Sequence, residues 1–155
     1  MFLFNRSVCP HPLDVSEYVA PEKIENILIQ SPLVGQCFVY GDSFQNYVVA
    51  IVVPDEEPVR MWAQKAGLEK LSFAELCRSP QLKEAVMDDI RKLSKASGLH
   101  GFETVRAAFL EHELFSAEND LATPTFKLKR QKLRDHYEKE IAELYASLPP
   151  PKSRL

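Results

Sequence analysis

Apolar positions along the chain fall into segments whose period switches from helical to extended and back. From Pro21, Ile24, Ile27 and Leu28 share one face of a helix. Pro21 suits the first helical position, Glu22 favours the positive end of the dipole, and Ser31-Pro32 closes the segment. Gln36–Tyr40 and Tyr47–Val53 read as two strands joined through the turn cluster Gly41-Asp42-Ser43, with Pro54 ending the second. A helical segment near Arg60–Lys65 runs up to Gly67. Ser72 and Glu75 then have the spacing of a capping box. Ser79-Pro80 opens the longest helix, whose buried stripe is Leu82, Val86, Ile90 and Leu93 and whose stop is Gly98. Thr104–Leu110 fits a third strand, and Ser116–Thr125 is polar and turn-prone. A last helix spans about Lys129 to Leu144, with Leu133, Tyr137, Ile141 and Leu144 facing inward. Residues 1–16 have no period and read as an irregular leader, and Pro149-Pro150-Pro151 ends regular structure. The pattern predicts an α+β fold, a short-stranded sheet packed with helices and covered on one side.

Composition narrows the class. The chain has 155 residues, one domain's worth, with 45% hydrophobic and 26% charged residues, which excludes collagenous, low-complexity and wholly disordered chains. A net charge of −3 argues against a nucleic-acid partner. Cys9, Cys37 and Cys77 form no disulfide framework and no CxxC or Cys/His zinc spacing, so no metal site is expected and reduced thiols in an intracellular compartment are. The apolar start at Met1–Phe4 is too short for a secretory signal. Tyr47–Val53, the longest strongly apolar run, falls far below the roughly 20 residues of a membrane span, so no transmembrane segment is expected.

The densest charge feature is Phe126-Lys127-Leu128-Lys129-Arg130-Gln131-Lys132-Leu133-Arg134, where five bases occur without an acid among them. Three readings are open: a solvated helix face, an anion site in which Lys127 reaches from the end of a turn-rich loop, and a nucleic-acid patch. The last is the weakest, because the run is short and lacks interleaved aromatics beyond Phe126. His11, His100, His112 and His136 share no metal-ligand spacing, and Ser43 and Ser72 lack a nucleophile elbow. Glu111 and Glu113 flank His112 as the exposed end of a strand, and Trp62 is core material.

Tyr18-Val19-Ala20-Pro21-Glu22-Lys23-Ile24-Glu25-Asn26, together with Leu121-Ala122-Thr123-Pro124-Thr125-Phe126-Lys127-Leu128-Lys129-Arg130, resembles the eukaryotic type of long-chain acyl-CoA synthetase, or long-chain fatty acid–CoA ligase, of the adenylate-forming superfamily. The resemblance covers residues 17–148 and only the small C-terminal lobe of such enzymes. It implies an AMP-binding enzyme C-terminal-type domain that swings against a large adenylation lobe. With ATP, Mg2+ and CoA, the complete enzyme turns a fatty acid into an acyl-adenylate and then a thioester. Lys127 stands in the place of the lysine that meets the carboxylate and the α-phosphate, and is the one catalytic residue the resemblance implies.

The chain also departs from the family. His11-Pro12-Leu13-Asp14-Val15-Ser16-Glu17 occupies the hinge stretch, with Ser16 where the family has glycine, and no Gly-rich or Ser/Thr-rich phosphate loop occurs anywhere. The expectation is a truncated or alternatively started product of a synthetase gene, inactive and binding no cofactor alone, that needs the large lobe in cis or from another chain. The alternative is a non-catalytic binding or regulatory module derived from that lobe. In the tail, residues 149–155, Ser153-Arg154-Leu155 is similar to the C-terminal Ser-Lys-Leu address, which implies a peroxisomal import receptor and peroxisomal localisation; the alternative is cytoplasmic.

Overall fold

The computed structural model describes residues 20–41, 47–99, 103–125 and 127–148. The leader, the hinge stretch, Cys9, His11, Ser43, His100 and Ser153-Arg154-Leu155 lie outside the described residues. The element order is α1 (Pro21–Leu28), β1 (Val34–Gly41), β2 (Val48–Pro54), α2 (Glu56–Ala66), α3 (Phe73–Arg78), α4 (Pro80–Ala96), β3 (Val105–Leu110), α5 (Arg130–His136) and α6 (Glu138–Ser147).

Local signals account for most boundaries. In the capping box of α3, Ser72 Oγ accepts the Glu75 N–H at 3.2 Å and Glu75 Oε2 accepts the Ser72 N–H at 2.9 Å. Ser79 both ends α3 and caps α4, where its hydroxyl accepts the Gln81 N–H. Past the end of α4, Gly98 takes φ +71°, a left-handed value that costs glycine nothing. The second helical segment begins at Glu56, earlier than its periodicity suggests, because Asp55 is still extended and two glutamates occupy the first turn.

β2 is the central strand, antiparallel to β1 and parallel to β3. The register of β1 slips between Val34 and Gln36. There Gly35 lies so close to β2 that a Cβ would sit 3.2 Å from the Val53 carbonyl oxygen. The parallel pairing needs a crossover, supplied by α2–α4.

The sheet is covered on both faces, not one. Val48, Ala50 and Val52 face a core with Ile24, Leu28, Val59, Leu82, Val86 and Ile90. Val49, Ile51 and Val53 face a second core with Phe38, Phe115, Leu133, Tyr137, Ile141 and Leu144. Every residue of β2 is therefore buried, and its unbroken apolar run is the mark of a strand with no wet side.

The last helix is likewise two helices, broken at Tyr137, whose φ of −103° and ψ of 19° leave the helical range. The inward stripe survives because hydrogen bonds cross the break, from the Tyr137 N–H to the Leu133 carbonyl and from the Ile141 N–H to the Tyr137 carbonyl. Tyr137 is tethered where the chain bends. Its ring meets Phe109 and Phe115, and its hydroxyl donates to Glu111 at 3.1 Å.

Candidate functional site

Lys127 sits on a loop between β3 and α5 whose shape is fixed by its own polar side chains. Asn119 Oδ1 accepts the N–H groups of Ser116 and Leu121, while its amide nitrogen donates to the Leu114 carbonyl at 2.9 Å. Asp120 follows with φ 61°, a left-handed value that aspartate tolerates. Leu121 and Ala122 are buried, and they root one side of the loop in the second core.

Beyond this root the backbone doubles back. Ala122 bridges Leu128, and the Lys129 N–H donates to the Leu121 carbonyl at 2.9 Å. Nearer the tip, the Thr123 N–H donates to the Lys127 carbonyl at 2.8 Å, and the Lys127 N–H donates to Thr123 Oγ1 at 3.0 Å. The Thr125 hydroxyl meets the same Thr123 oxygen at 3.0 Å. Lys127 is thus held on both sides of its backbone while its side chain is exposed.

The five bases of the run do not share one environment. Lys129 and Lys132 both engage Asp120, the latter at 3.2 Å. The hydrogen bonds from Lys129 and then Lys132 hold the Asp120 carboxyl below its ordinary range. Arg134 pairs with Asp135 at 3.3 Å. Arg130 departs from the expectation of a solvated face. Its side chain is 35% exposed, and Nη2 donates to Glu25 Oε2 at 2.7 Å from a position 5.8 Å from the Phe38 ring centroid. Among the described residues, only Lys127 of the five has an ammonium or guanidinium engaged by no acid.

Glu25 is the partner that residue patterns did not single out. It lies on α1 and is 8% exposed. One oxygen accepts the Val39 N–H of β1 at 2.9 Å and the other serves Arg130. Burial pushes its carboxyl above the ordinary value, and the bonds from Arg130 and Val39 pull it back only in part. The available signal was an acid beside Ile24 on the inner side of an amphipathic helix.

Glu111 also differs from the expected exposed strand end. Its side chain is 15% exposed, accepts from the Tyr137 hydroxyl and from the N–H groups of His112 and Glu113, and lies 3.1 Å from His112 Nδ1. His112 and His136 are exposed, and Ser72 is engaged in its cap. Trp62 packs half-buried against the first core. Cys37 and Cys77 are free thiols. Among the described residues no group of three or more His, Cys, Asp or Glu side chains could hold a metal ion, and no helix is long and apolar enough to cross a membrane.

Comparison with known proteins agrees with this fold. Residues 23–96 match the family described as the AMP-binding enzyme C-terminal domain. The adenylation domain of a carboxylate reductase from Mycobacterium chelonae superposes with a TM-score of 0.67 at 31% identity, over 81% of this chain and 18% of that one. That of a carboxylic acid reductase from Segniliparus rugosus, solved with AMP and a co-purified carboxylic acid, gives 0.67 at 29% identity over 84% and 18%. The chain therefore carries, over residues 23–96, an AMP-binding enzyme C-terminal domain.

Within that class it corresponds to the C-terminal domain region of long-chain fatty acid–CoA ligases. It is 52% identical over 130 residues to long-chain-fatty-acid–CoA ligase 6 of Rattus norvegicus, covering 84% of this chain and 18% of the relative. It is 42% identical over 132 residues to the Arabidopsis thaliana long chain acyl-CoA synthetase 6, named peroxisomal, covering 85% and 19%. The chain spans about a fifth of the length of these relatives.

Proposed function

We propose that residues 17–148 act as the mobile small lobe of a long-chain fatty acid–CoA ligase and that Lys127 supplies the cation for its adenylation step. The observation that carries this reading is the Lys127 ammonium, engaged by no acid among the described residues and borne on a backbone clamped at both sides while its basic neighbours are engaged by acids. A cation held ready in this way has its geometry set beforehand and its charge available for a ligand.

In the proposed reaction a carboxylate oxygen of the fatty acid attacks the α-phosphorus of ATP, and pyrophosphate leaves with the electron pair of the broken P–O bond. Two anions must approach each other, and the Lys127 ammonium offsets their repulsion where negative charge builds. The coenzyme A thiolate then attacks the acyl carbonyl carbon and AMP departs. Withdrawal of the lobe with its lysine would clear room for the thiol. The CoA-ligase names of the sequence relatives and the AMP-bound state of the Segniliparus domain support this assignment of substrates. Peroxisomal localisation through Ser153-Arg154-Leu155 belongs to the same reading, supported by the name of the Arabidopsis relative.

The test is complementation. The purified chain is mixed with a separately expressed large lobe of a ligase, and each half-reaction is assayed. Acyl-CoA formation should be restored, and Lys127→Ala should slow adenylation by about 100-fold or more while thioester formation from preformed acyl-adenylate changes little. Equal loss in both half-reactions defeats the role of Lys127. Absence of any restoration favours the non-catalytic module instead.

A further inference from the structure

We propose that Glu25 is a positioning residue for Lys127: from the first helix it fixes, through Arg130, the loop that carries that ammonium. The inference rests on the reading of Lys127 given above.

Arg130 stands three positions after Lys127, at the start of α5 where the loop ends. The opposite root is held by burial of Leu121 and Ala122 in the second core. The Arg130 root is held by charge. Glu25 Oε2 receives Nη2 at 2.7 Å, and Glu25 Oε1 is fixed in turn by the Val39 N–H at 2.9 Å. The carboxylate therefore joins α1, the edge strand β1 and the base of the loop at one point. Phe38, also on β1, lies against the guanidinium from another side. Glu22 reaches Arg130 only at 4.0 Å from an exposed position and cannot replace Glu25.

An ion pair is a poor choice for stability at such a place. Burial works against the Glu25 charge, and its partners compensate only in part. What the pair provides is direction: a guanidinium held by one carboxylate oxygen, whose other oxygen is tied to a strand, leaves the root of the loop little freedom to turn. Any rigid-body rotation of α1 then carries the Lys127 loop along instead of leaving it behind. Stability and positioning thereby become separable by experiment.

Glu25→Gln keeps an oxygen for the Val39 N–H at nearly the same volume and removes the charge that holds Arg130. Amide hydrogen exchange is followed in the whole chain. At Thr123, Lys127 and Lys129 it should accelerate by about tenfold or more, while exchange in β2 stays at the wild-type rate and the thermal midpoint stays within about 3 °C. Arg130→Gln should loosen the same amides, and Glu25→Asp should restore part of their protection. In the two-lobe assay, Glu25→Gln should lower kcat of adenylation with the KM values for ATP and fatty acid unchanged. Wild-type exchange at the three loop amides, or acceleration spread equally over β2, overturns the proposal. The exchange measurement needs no catalysis. Retained adenylation in Lys127→Ala would defeat the function reading while the loop result stands, and an unchanged loop in Glu25→Gln would defeat this inference whatever Lys127 does.

Discussion

Replacing Leu133 by alanine tests whether the sheet has a second core. Leu133 is fully buried on α5 against the face of β2 that presents Val49, Ile51 and Val53. Returning a leucine side chain to water costs about 1.5–3 kcal/mol. The cavity left behind raises the total to about 2–5 kcal/mol, since close-packed neighbours relax only partly. For a chain of this size, about 3 kcal/mol corresponds to a fall in Tm of roughly 6–12 °C. Urea unfolding followed at once by far-ultraviolet circular dichroism and by tryptophan fluorescence separates the outcomes. The single tryptophan, Trp62, packs against the opposite core, across the sheet from Leu133. If both cores share β2 as one cooperative unit, the two probes shift together and the denaturant slope is unchanged. Met61→Ala, at a side chain 58% exposed, should stay within about 0.5 kcal/mol of wild type. A Leu133→Ala midpoint equally close to wild type would refute the two-core account, as would a dichroism shift that leaves Trp62 unmoved.

Thiol chemistry and localisation give two further tests. In a Cys9→Ser background, burial and then the nearby Glu111 charge push Cys77 up to about 11, and burial pushes Cys37 higher still. A raised pKa withholds the thiolate until the pH rises towards it, so alkylation at pH 8 should run about a hundredfold slower in the native chain than in urea and quicken with pH; comparable native and denatured rates would contradict the burial of both thiols. A fluorescent protein fused ahead of this chain should collect in peroxisomes and lose that pattern when Ser153-Arg154-Leu155 is deleted; an identical distribution of the two fusions would end the targeting proposal.

Local features were legible because local chemistry sets them. The Ser72/Glu75 cap, the stop at Gly98 and the α4 stripe as far as Ile90 depend on neighbours within one or two turns, and the structure reproduces them, whereas Leu93 is only half-buried and Ser94 takes the buried place beside it. The covering of β2 was also present in the sequence. An uninterrupted run from Val48 to Val53 has no polar face to give to solvent, whereas a half-exposed strand alternates. The break at Tyr137 was not legible, because the stripe keeps its phase across it and the tether is Glu111, on another element. At the candidate site Lys127 stands out by its basic neighbourhood and its loop. Its difference from Lys129, Arg130 and Lys132 depends on Asp120 and Glu25. Glu25 and Arg130 lie 105 positions apart, and no periodicity encodes a pairing over that separation.

The central place of β2 bears on how the chain is made. The antiparallel neighbour β1 leaves the ribosome before it, but the parallel neighbour β3 follows roughly fifty residues later, several seconds at ordinary translation speeds. Through that interval six consecutive uncharged apolar residues keep one row of backbone donors and acceptors open, the composition from which cross-β stacks are built. A nascent chain stalled between Pro54 and Val105 would therefore invite chaperone capture or self-association.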